Sequence, residues 1–187
     1  MTADENAPDT RTRLLNGALD CMRRGARVSF ADVARTSGIA RQTIYAYFPD
    51  KDSLVNEAID FAAIQLTRDV ALRTESIESA SEALVEALIA FYEAAQSDPA
   101  IGQLIAMTLH PRRANSATIP SDAMRVVRTF VRRRASDIGT DADLHEMAEV
   151  FLRYLLSVLA YSSASTETVD SLRAFLRRRM VPALGLD

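Results

Sequence analysis

The spacing of apolar positions along the chain predicts helices almost throughout and gives no convincing strand. In residues 10–24, Leu14, Leu15, Ala18 and Leu19 recur three and four positions apart, as on one face of a helix. The same period returns, after short polar breaks, in residues 51–73, 77–96, 121–137, 141–163 and 166–184. Asp98 is a suitable cap, and Pro99 after it opens a further short helix to about Leu109. We therefore expect an all-α protein of about nine helices.

Between residues 29 and 50, the pattern predicts two short helices joined by a tight turn. Ser29 is a suitable N-cap for a helix ending near Ser37, and a carboxylate in its first turn favours the helix dipole. Gly38 can adopt the left-handed backbone that such a turn requires. Ile39 is expected to point inward, and the next helix runs from about Ala40 to Phe48.

The second short helix has an outward face that packing alone does not explain. Its inward residues are Ile44 and Phe48, which leaves polar and aromatic residues outside. The major groove of duplex DNA admits one helix, and Arg, Gln or Thr side chains can read its base edges. The predicted outward set is Arg41, Gln42, Thr43, Tyr45 and Tyr47. This pattern indicates a helix-turn-helix that binds DNA.

The charge distribution agrees with a DNA-binding segment, although the 187-residue chain has a net charge of -3. Residues 10–53 hold eight basic and four acidic side chains, including the chain's one lysine, Lys51. Residues 54–187 hold 14 basic and 18 acidic side chains. Because phosphates respond to local charge, an acidic whole chain does not argue against DNA binding.

Composition also predicts the compartment. A single cysteine, Cys21, excludes an internal disulfide and suits a reducing cytoplasm, and its place on the apolar side of the first helix favours a core role. No apolar run approaches the roughly 20 residues of a membrane span. Residues 1–9 lack a secretion signal and are expected to be a disordered arm. We therefore expect a cytoplasmic protein without a membrane partner.

An enzyme is the main competing class, and no sequence feature supports it. The chain has no glycine-rich phosphate loop, no zinc-type His/Cys cluster and no nucleophile motif. His145 and Glu149 lie four residues apart, as a metal pair could, but Asp141 and Glu146 beside them favour a solvated polar face. We expect no catalytic residues, no metal and no cofactor.

The helix-turn-helix segment resembles the DNA-binding domain of TetR/AcrR-type bacterial transcription regulators. The resemblance covers about 26 residues, and thirteen positions match the family pattern in register. They are Ser29, Val33, Ala34, Gly38, Ile39, Thr43, Ile44, Tyr45, Tyr47, Phe48, Lys51, Asp52 and Leu54. A match of this density is a specific signal, whereas the helices after residue 54 carry no diagnostic sequence.

Three positions depart from the family pattern. Ser37 replaces an alanine at the turn, which is a small change. Ala40 replaces the serine that caps the recognition helix, and this could cost about 1 kcal/mol of helix stability unless Ser37 compensates. Gln42 stands where glycine or proline is common, and it either contacts a base, adenine being its best partner, or faces solvent.

Position and resemblance together assign roles in the first domain, residues 10–53. Near the start of the recognition helix, Arg41, Gln42 and Thr43 are expected to contact bases. The expected phosphate contacts are Ser29, Tyr45, Tyr47 and Lys51. Partial packing into the core is the alternative for Tyr45.

The resemblance implies that residues 54–187 form a ligand-binding and dimerisation domain. A palindromic operator needs two recognition helices one DNA turn apart, so we expect a homodimer. Residues 150–161 are apolar nearly all round, and the last helix carries a second apolar stripe. Interface candidates are Leu155, Leu159, Leu172, Phe175, Leu176 and Met180, with a buried core helix as the alternative.

The family typically binds a small-molecule effector that releases DNA, so this domain is also expected to hold a pocket. Pocket candidates, each of which could equally be ordinary core, are Phe61, Gln65, Phe91, Tyr92, Leu104, Met107, His110, Phe130, Phe151 and Tyr154. The expected function is thus a TetR-like repressor that binds an operator in double-stranded DNA as a dimer. A ligand-independent DNA-binding or adaptor protein of the same fold is the alternative.

Overall fold

The computed structural model describes residues 9–25, 28–103, 121–134, 139–161 and 163–186. In these ranges the protein forms nine helices and no strand, which confirms the predicted all-α fold. The helices are α1 (Thr10–Arg23), α2 (Phe30–Ser37), α3 (Arg41–Tyr47), α4 (Lys51–Arg73), α5 (Ala80–Ser97), α6 (described over 99–103), α7 (Ser121–Arg134), α8 (Asp141–Ala160) and α9 (Val169–Ala183). Of the predicted arm, residues 1–9, the first eight lie outside the described ranges, whereas Asp9 is the N-cap of α1.

The chain divides into two compact units. The first comprises Met1–Ala63 together with Asp98–Ile101, and the second comprises Ile64–Ser97 together with Gly102–Asp187. The division falls inside α4, whereas the boundary drawn from the sequence, after residue 53, lies near the start of that helix.

The core of the first unit forms where α1 packs on α2 and α2 packs on α3. Gly17 on α1 allows a close approach, because a Cβ at this position would lie 3.1 Å from the Ser37 Cβ. Cys21 is buried in this core, as its place on the apolar face predicts. The buried apolar residues of this unit are Leu14, Leu15, Ala18, Leu19, Cys21, Met22, Phe30, Val33, Ile39, Ile44, Phe48, Leu54, Ala58, Ile59, Ala62, Ala100 and Ile101.

Asp98 links the start of α6 to α1 by hydrogen bonds. The Asp98 carboxylate accepts a hydrogen bond from the Ala100 N–H at 2.9 Å and one from Arg23 Nε at 3.0 Å. Partial burial alone would raise the pKa of Asp98, but the hydrogen bonds and the positive charge of Arg23 outweigh it. The pKa therefore lies below its ordinary value, so this carboxylate is charged at neutral pH.

In the second unit, α5 packs against α7, α8 and α9. Thr140 and Thr168 each form a capping box, with Asp143 and Ser171 respectively, and so fix where α8 and α9 begin. Buried apolar residues from all four helices form one continuous core. Two ion pairs also join α9 to α5: Arg173 pairs with Glu86 and Arg177 with Glu82, each at 2.6 Å.

The structure corrects part of the predicted dimer interface. Leu172, Leu176 and Met180 are fully buried inside the single chain. These three side chains of the α9 stripe are thus packed within their own unit and leave no surface for a partner. Leu155 is nearly as buried, whereas Leu159 and Phe175 are half-buried at the edge of this core. These two residues stay candidates for contact with a second copy.

Candidate nucleic-acid interface

The turn between α2 and α3 has the geometry that the sequence predicts. The Ser29 side chain caps α2 by accepting a hydrogen bond from the Asp32 N–H. Gly38 adopts the left-handed conformation, with φ 68°, and its N–H donates to the Ala34 carbonyl. A side chain at this φ would be strained, so glycine is required where the chain turns into α3.

Asp32 keeps the Ser29 hydroxyl engaged at the start of α2. The Ser29 hydroxyl donates to the Asp32 carboxylate, and Arg35 donates to the same carboxylate at 2.6 Å. These two hydrogen bonds, that from Ser29 first, hold the pKa of Asp32 below its ordinary value. In this arrangement the Ser29 hydroxyl donates its hydrogen to Asp32. It would have to leave that carboxylate in order to donate to a phosphate oxygen. The phosphate role of Ser29 stays a prediction.

The recognition helix α3 begins without a side-chain cap. Ala40 occupies the N-cap position and has no side-chain acceptor. Ser37 does not compensate, because its hydroxyl donates to the Val33 carbonyl at 2.7 Å within α2. Since a seven-residue helix is unstable alone, the burial of Ile44 and Phe48 must hold α3 in place.

The remaining residues of α3 form an exposed polar and aromatic face. Arg41 and Gln42 are exposed, and Thr43 is half-buried. The side chains of Tyr45 and Tyr47 are also exposed, at 52% and 39%. The structure thus brings the predicted base-contact residues and both tyrosines together on one short helix, with Ile44 of that helix and the following Phe48 turned inward.

Tyr45 is in contact on two sides while much of its surface stays exposed. The Phe30 and Tyr45 rings meet edge-on, with centroids 4.8 Å apart and an interplanar angle of 81°. Arg41 Nη2 donates to the Tyr45 hydroxyl at 3.1 Å, and its guanidinium carbon lies 5.8 Å from the Tyr45 ring centroid. Tyr45 therefore combines the two alternatives that the sequence leaves open, an exposed hydroxyl and a ring packed at the edge of the core.

Lys51 lies just after this face, at the start of α4. Asp50 caps α4 by accepting a hydrogen bond from the Ser53 N–H at 2.7 Å. The exposed Lys51 ammonium lies 3.3 Å from the Asp52 carboxylate. An exposed pair of this kind is weak in water, so the ammonium can exchange this carboxylate for a phosphate.

Two arginines of α1 support the helix-turn-helix, and sequence reasoning gives them no role. Arg11 Nη2 donates to Glu57 on α4 at 2.6 Å, and its guanidinium lies 5.1 Å from the Phe48 ring centroid. Arg13 donates to the Ser37 carbonyl at 3.0 Å, where α2 ends. The sequence shows only that these positions are basic and outward, so no local signal distinguishes them from solvated arginines.

The comparisons with known proteins agree with this geometry. The family description "Bacterial regulatory proteins, tetR family" matches residues 14–58, which include α2, the turn, α3 and the start of α4. These residues are similar in sequence to the DNA-binding domain of TetR-family transcriptional regulators. The match agrees with the exposed polar and aromatic residues that α3 presents.

Curated relatives that are named HTH-type transcriptional regulators match this chain over most of its length. The HTH-type transcriptional regulator Rv2250c of Mycobacterium tuberculosis is 24% identical over 179 residues, covering 92% of this chain and 89% of the relative. Mb2274c of Mycobacterium bovis matches with the same identity and coverage. Both are named as uncharacterised regulators, so they add no operator and no ligand.

Solved structures support the fold of the whole regulator. RolR in complex with resorcinol superposes with a TM-score of 0.63 at 17% identity, covering 94% of this chain and 91% of that one. A TetR transcriptional regulator from Rhodococcus sp. RHA1 has a TM-score of 0.60 at 23% identity, covering 93% and 92%. At these identities the likeness concerns the fold alone.

The aromatic pocket candidates of the second unit pack against one another. Phe151 and Phe130 are buried, and the Phe151 centroid lies 6.3 Å from those of both Phe130 and Phe91. Phe91 and Tyr92 are half-buried at the edge of this cluster. Phe130 and Phe151 are thus packed as core residues, which is one of the two alternatives that the sequence leaves open.

The other pocket candidates are scattered. Phe61 lies in the first unit, whereas Gln65 is an exposed residue of the second. The Tyr154 hydroxyl donates to the Arg179 carbonyl at 3.0 Å, which ties α8 to α9. The remaining three candidates, Leu104, Met107 and His110, lie outside the described residues.

The described residues offer neither a metal centre nor a membrane span. Glu149 accepts a hydrogen bond from Arg153 at 3.0 Å, and His145 is exposed. In the described ranges, no three His, Cys, Asp or Glu side chains are grouped as metal ligands would be. None of the described helices is both long and apolar enough to cross a bilayer.

Proposed function

We propose that this regulator is a cytoplasmic repressor that binds a palindromic operator as a homodimer and leaves it when a small-molecule effector binds. The observation that carries the proposal is the exposed face of α3. In this proposal Arg41, Gln42 and Thr43 contact base edges. The phosphates are contacted by Tyr45, Tyr47, Lys51 and Ser29.

The chemistry of this face supports direct reading of DNA. A guanidinium can bind guanine O6 and N7 together, and a carboxamide can bind adenine N6 and N7. Arg41 and Gln42 are adjacent and exposed at the start of α3, where a helix entering the major groove first meets base edges. The tyrosine hydroxyls and the lysine ammonium supply donors for the flanking phosphates.

The homodimer follows from the proposed operator. Two recognition helices can occupy successive major grooves only if their centres lie about 34–36 Å apart, which a two-fold dimer achieves. Half-buried Leu159 and Phe175 support an interface at α8 and α9, and Tyr161 at the end of α8 is 77% exposed. A large exposed aromatic side chain beside half-buried apolar ones is typical of a surface that meets a partner.

The effector is the part of the proposal that depends most on a relative. RolR, of similar fold, is described in complex with resorcinol. In the second unit, Phe91 and Tyr92 lie beside buried Phe130 and Phe151, so an aromatic guest would find aromatic neighbours. Binding there would release DNA only if the effector prefers the conformation that does not fit the operator.

A mobility-shift titration on the DNA upstream of the protein's own gene and of its neighbours tests operator binding. We expect a retarded band that a palindromic fragment competes away and a random duplex does not. A band competed equally by both fragments would leave only non-specific binding and contradict the repressor proposal. Adding resorcinol, with phenylalanine as a control, tests release, and an unchanged band with a panel of small phenols would favour the ligand-independent alternative.

The phosphate roles are tested by salt dependence. Each lost phosphate contact should lower the slope of log affinity against log salt by about 1. Lys51→Ala should show this change for every DNA sequence, because a phosphate contact carries no sequence information. Arg178→Ala, which removes an exposed arginine of α9, is the matched control and should leave the slope unchanged. Equal slopes for Lys51→Ala and the wild-type protein would refute the phosphate role of Lys51.

A further inference from the structure

Three side chains from the helix-turn-helix form a connected stack that ends at the exposed face of α3. Phe30, the first residue of α2, is buried, and its ring meets the ring of Tyr45 edge-on at 4.8 Å. Tyr45 in turn lies beside Arg41, one helical turn earlier on α3, with 3.1 Å between its hydroxyl oxygen and Arg41 Nη2. A buried anchor, an exposed ring and a cationic side chain therefore follow one another toward the surface.

This stack restricts a side chain that would otherwise have many conformations. An exposed arginine has four rotatable side-chain bonds, and ordering them on binding costs entropy. The Tyr45 hydroxyl accepts from one guanidinium N–H, and the ring face attracts the same cation. The edge-on contact with the buried Phe30 ring restricts the movement of the Tyr45 ring. The guanidinium is thus oriented before DNA arrives.

The contact leaves the chemistry of both partners available. A guanidinium has five N–H donors, and Tyr45 uses one of them, so a pair remains for the two acceptors of a guanine. The tyrosine oxygen acts here as the acceptor, so the hydroxyl hydrogen is still free to be donated to a phosphate oxygen. Tyr45 can therefore hold Arg41 and contact the DNA backbone at the same time.

We propose that Tyr45, held against Phe30, positions the Arg41 guanidinium for a base, so that Phe30 and Tyr45 determine operator preference without touching a base edge. This inference rests on the proposed function, because it takes α3 as the helix that reads the operator. Phe30 is a positioning residue two steps from the DNA. Nothing in its sequence context, the first position of a helix after a serine cap, distinguishes it from a core phenylalanine.

The test measures base preference for the full chain and single variants. A high-affinity duplex is first selected from a random library with the wild-type protein, and each of its base pairs is then replaced in turn. Arg41→Ala identifies the base pair that Arg41 reads, where it should remove most of the discrimination. Tyr45→Phe keeps the ring but loses the hydroxyl, and Phe30→Leu keeps an apolar side chain but loses the ring. Each should lower discrimination at that base pair by about 3- to 10-fold, and elsewhere by less than about twofold.

Two controls separate positioning from a general loss of binding. Tyr47→Phe removes the other exposed tyrosine hydroxyl of α3 and should weaken binding to all duplexes by one common factor. The double variant of Arg41→Ala with Tyr45→Phe should lose no more discrimination than Arg41→Ala alone, because positioning has no effect once the positioned group is gone. Thermal unfolding of each variant checks the fold. Tyr45→Phe changes only an exposed hydroxyl, so it decides the question if Phe30→Leu unfolds.

The results distinguish failure of the proposed DNA-binding function from failure of the positioning role alone. If the wild-type protein enriches no sequence, the proposed function fails and this inference fails with it. If the wild-type protein selects a site but Arg41→Ala alters no single base pair, or Tyr45→Phe keeps full discrimination, the positioning inference alone is overturned. An equal loss from Tyr45→Phe in the presence and absence of Arg41 would overturn it as well.

Discussion

Helices α3 and α9 were both expected to meet a partner, yet they present opposite surfaces. On α3 Ile44 is turned inward, while Arg41, Gln42 and Tyr45 stay exposed. On α9 the stripe expected to face a second copy, Leu172, Leu176 and Met180, is fully buried in its own unit. The polar residues Arg173 and Arg177 of α9 are paired with glutamates of α5.

The difference shows which kind of sequence pattern can indicate a partner. An apolar stripe on a helix has the same composition whether it packs inside one chain or between two chains. Two outward tyrosines beside an arginine and a glutamine have no comparable role inside a core, so their presence favours an external partner. Pattern alone therefore supports a role for α3 more strongly than for α9.

The largest effect should come from the buried stripe of α9. Leu176→Ala is expected to lower the free energy of unfolding by about 2–5 kcal/mol, because it removes apolar contacts and leaves a cavity. Urea unfolding at several protein concentrations measures this loss. Phe175→Ala, at the half-buried neighbouring position, should lower the free energy of unfolding less than Leu176→Ala does, but it should weaken self-association more. If Leu176→Ala instead affected only self-association, α9 would be an interface helix, and the contrast between α3 and α9 would be wrong.

The next effect concerns Arg41. Arg41→Ala should lose about 1–3 kcal/mol of discrimination at one base pair, the value of a good bidentate contact. Its unfolding free energy should stay within about 0.5 kcal/mol of the wild-type value, since the side chain is exposed. Competition binding with single-base variants of the operator and thermal unfolding measure the two quantities. A large loss of stability with unchanged base preference would make α3 structural, like α9.

Ser29 tests the local support of the recognition helix. Ser29→Ala removes the cap of α2 and should cost about 1 kcal/mol of stability, whereas Ser29→Gly should cost only a few tenths. If Ser29 also contacts a phosphate, both variants will lower the salt slope of DNA binding equally. Chemical unfolding and salt titrations on the same variants separate the two roles. Unequal slopes with equal stabilities would contradict both assignments.

The polar face of α9 should contribute a smaller amount. Arg177→Ala removes an ion pair with Glu82 in which both partners are partly exposed. We expect only a small loss in unfolding free energy, reduced further at high salt because the exposed pair is screened. DNA affinity should not change. Reduced DNA affinity at constant stability would show that α9, like α3, presents a functional arginine.

The smallest effect should be the pH dependence due to Asp98. Its pKa is lowered in the folded protein, so its stabilising contribution is present above the unfolded pKa and is lost as pH falls through the folded value. The loss should appear below about pH 4, the ordinary range for aspartate. Asp98→Asn should remove this part of the acid dependence in urea unfolding. The matched control Asp20→Asn, at an exposed residue that also pairs with Arg23, should leave it in place.

Local signals in the sequence predicted most of the first unit. The cap at Ser29 and the glycine at Gly38 depend on backbone geometry within a few residues, so the bounds of α2 and the start of α3 follow closely. The same reasoning missed Thr140 and Thr168 as caps, and it started α9 too early, at residue 166 instead of Val169. Several polar residues there could each begin a helix, and propensity alone does not choose among them.

Contacts between residues far apart in the sequence could not be predicted in this way. The ion pairs that join distant parts of the chain are Arg11–Glu57, Arg23–Asp98 and Arg177–Glu82. The sequence contains many carboxylates, and nothing in it indicates which of them each arginine will pair with. The hydroxyl of Ser37 could cap α3 by sequence position, but it bonds to the Val33 carbonyl instead. The ion pairs depend on how the helices pack, whereas the Ser37 bond is a local choice within α2.

The sequence by itself determined that this protein is helical, that residues 29–48 form a helix-turn-helix and that α3 carries the side chains suited to DNA. These properties follow from periodicity and turn chemistry, which act over a few residues. Only the tertiary structure decided that Leu172, Leu176 and Met180 are core residues and that Phe30, Tyr45 and Arg41 form one stack. Burial and side-chain contact depend on which helices meet, and that is a property of the folded chain.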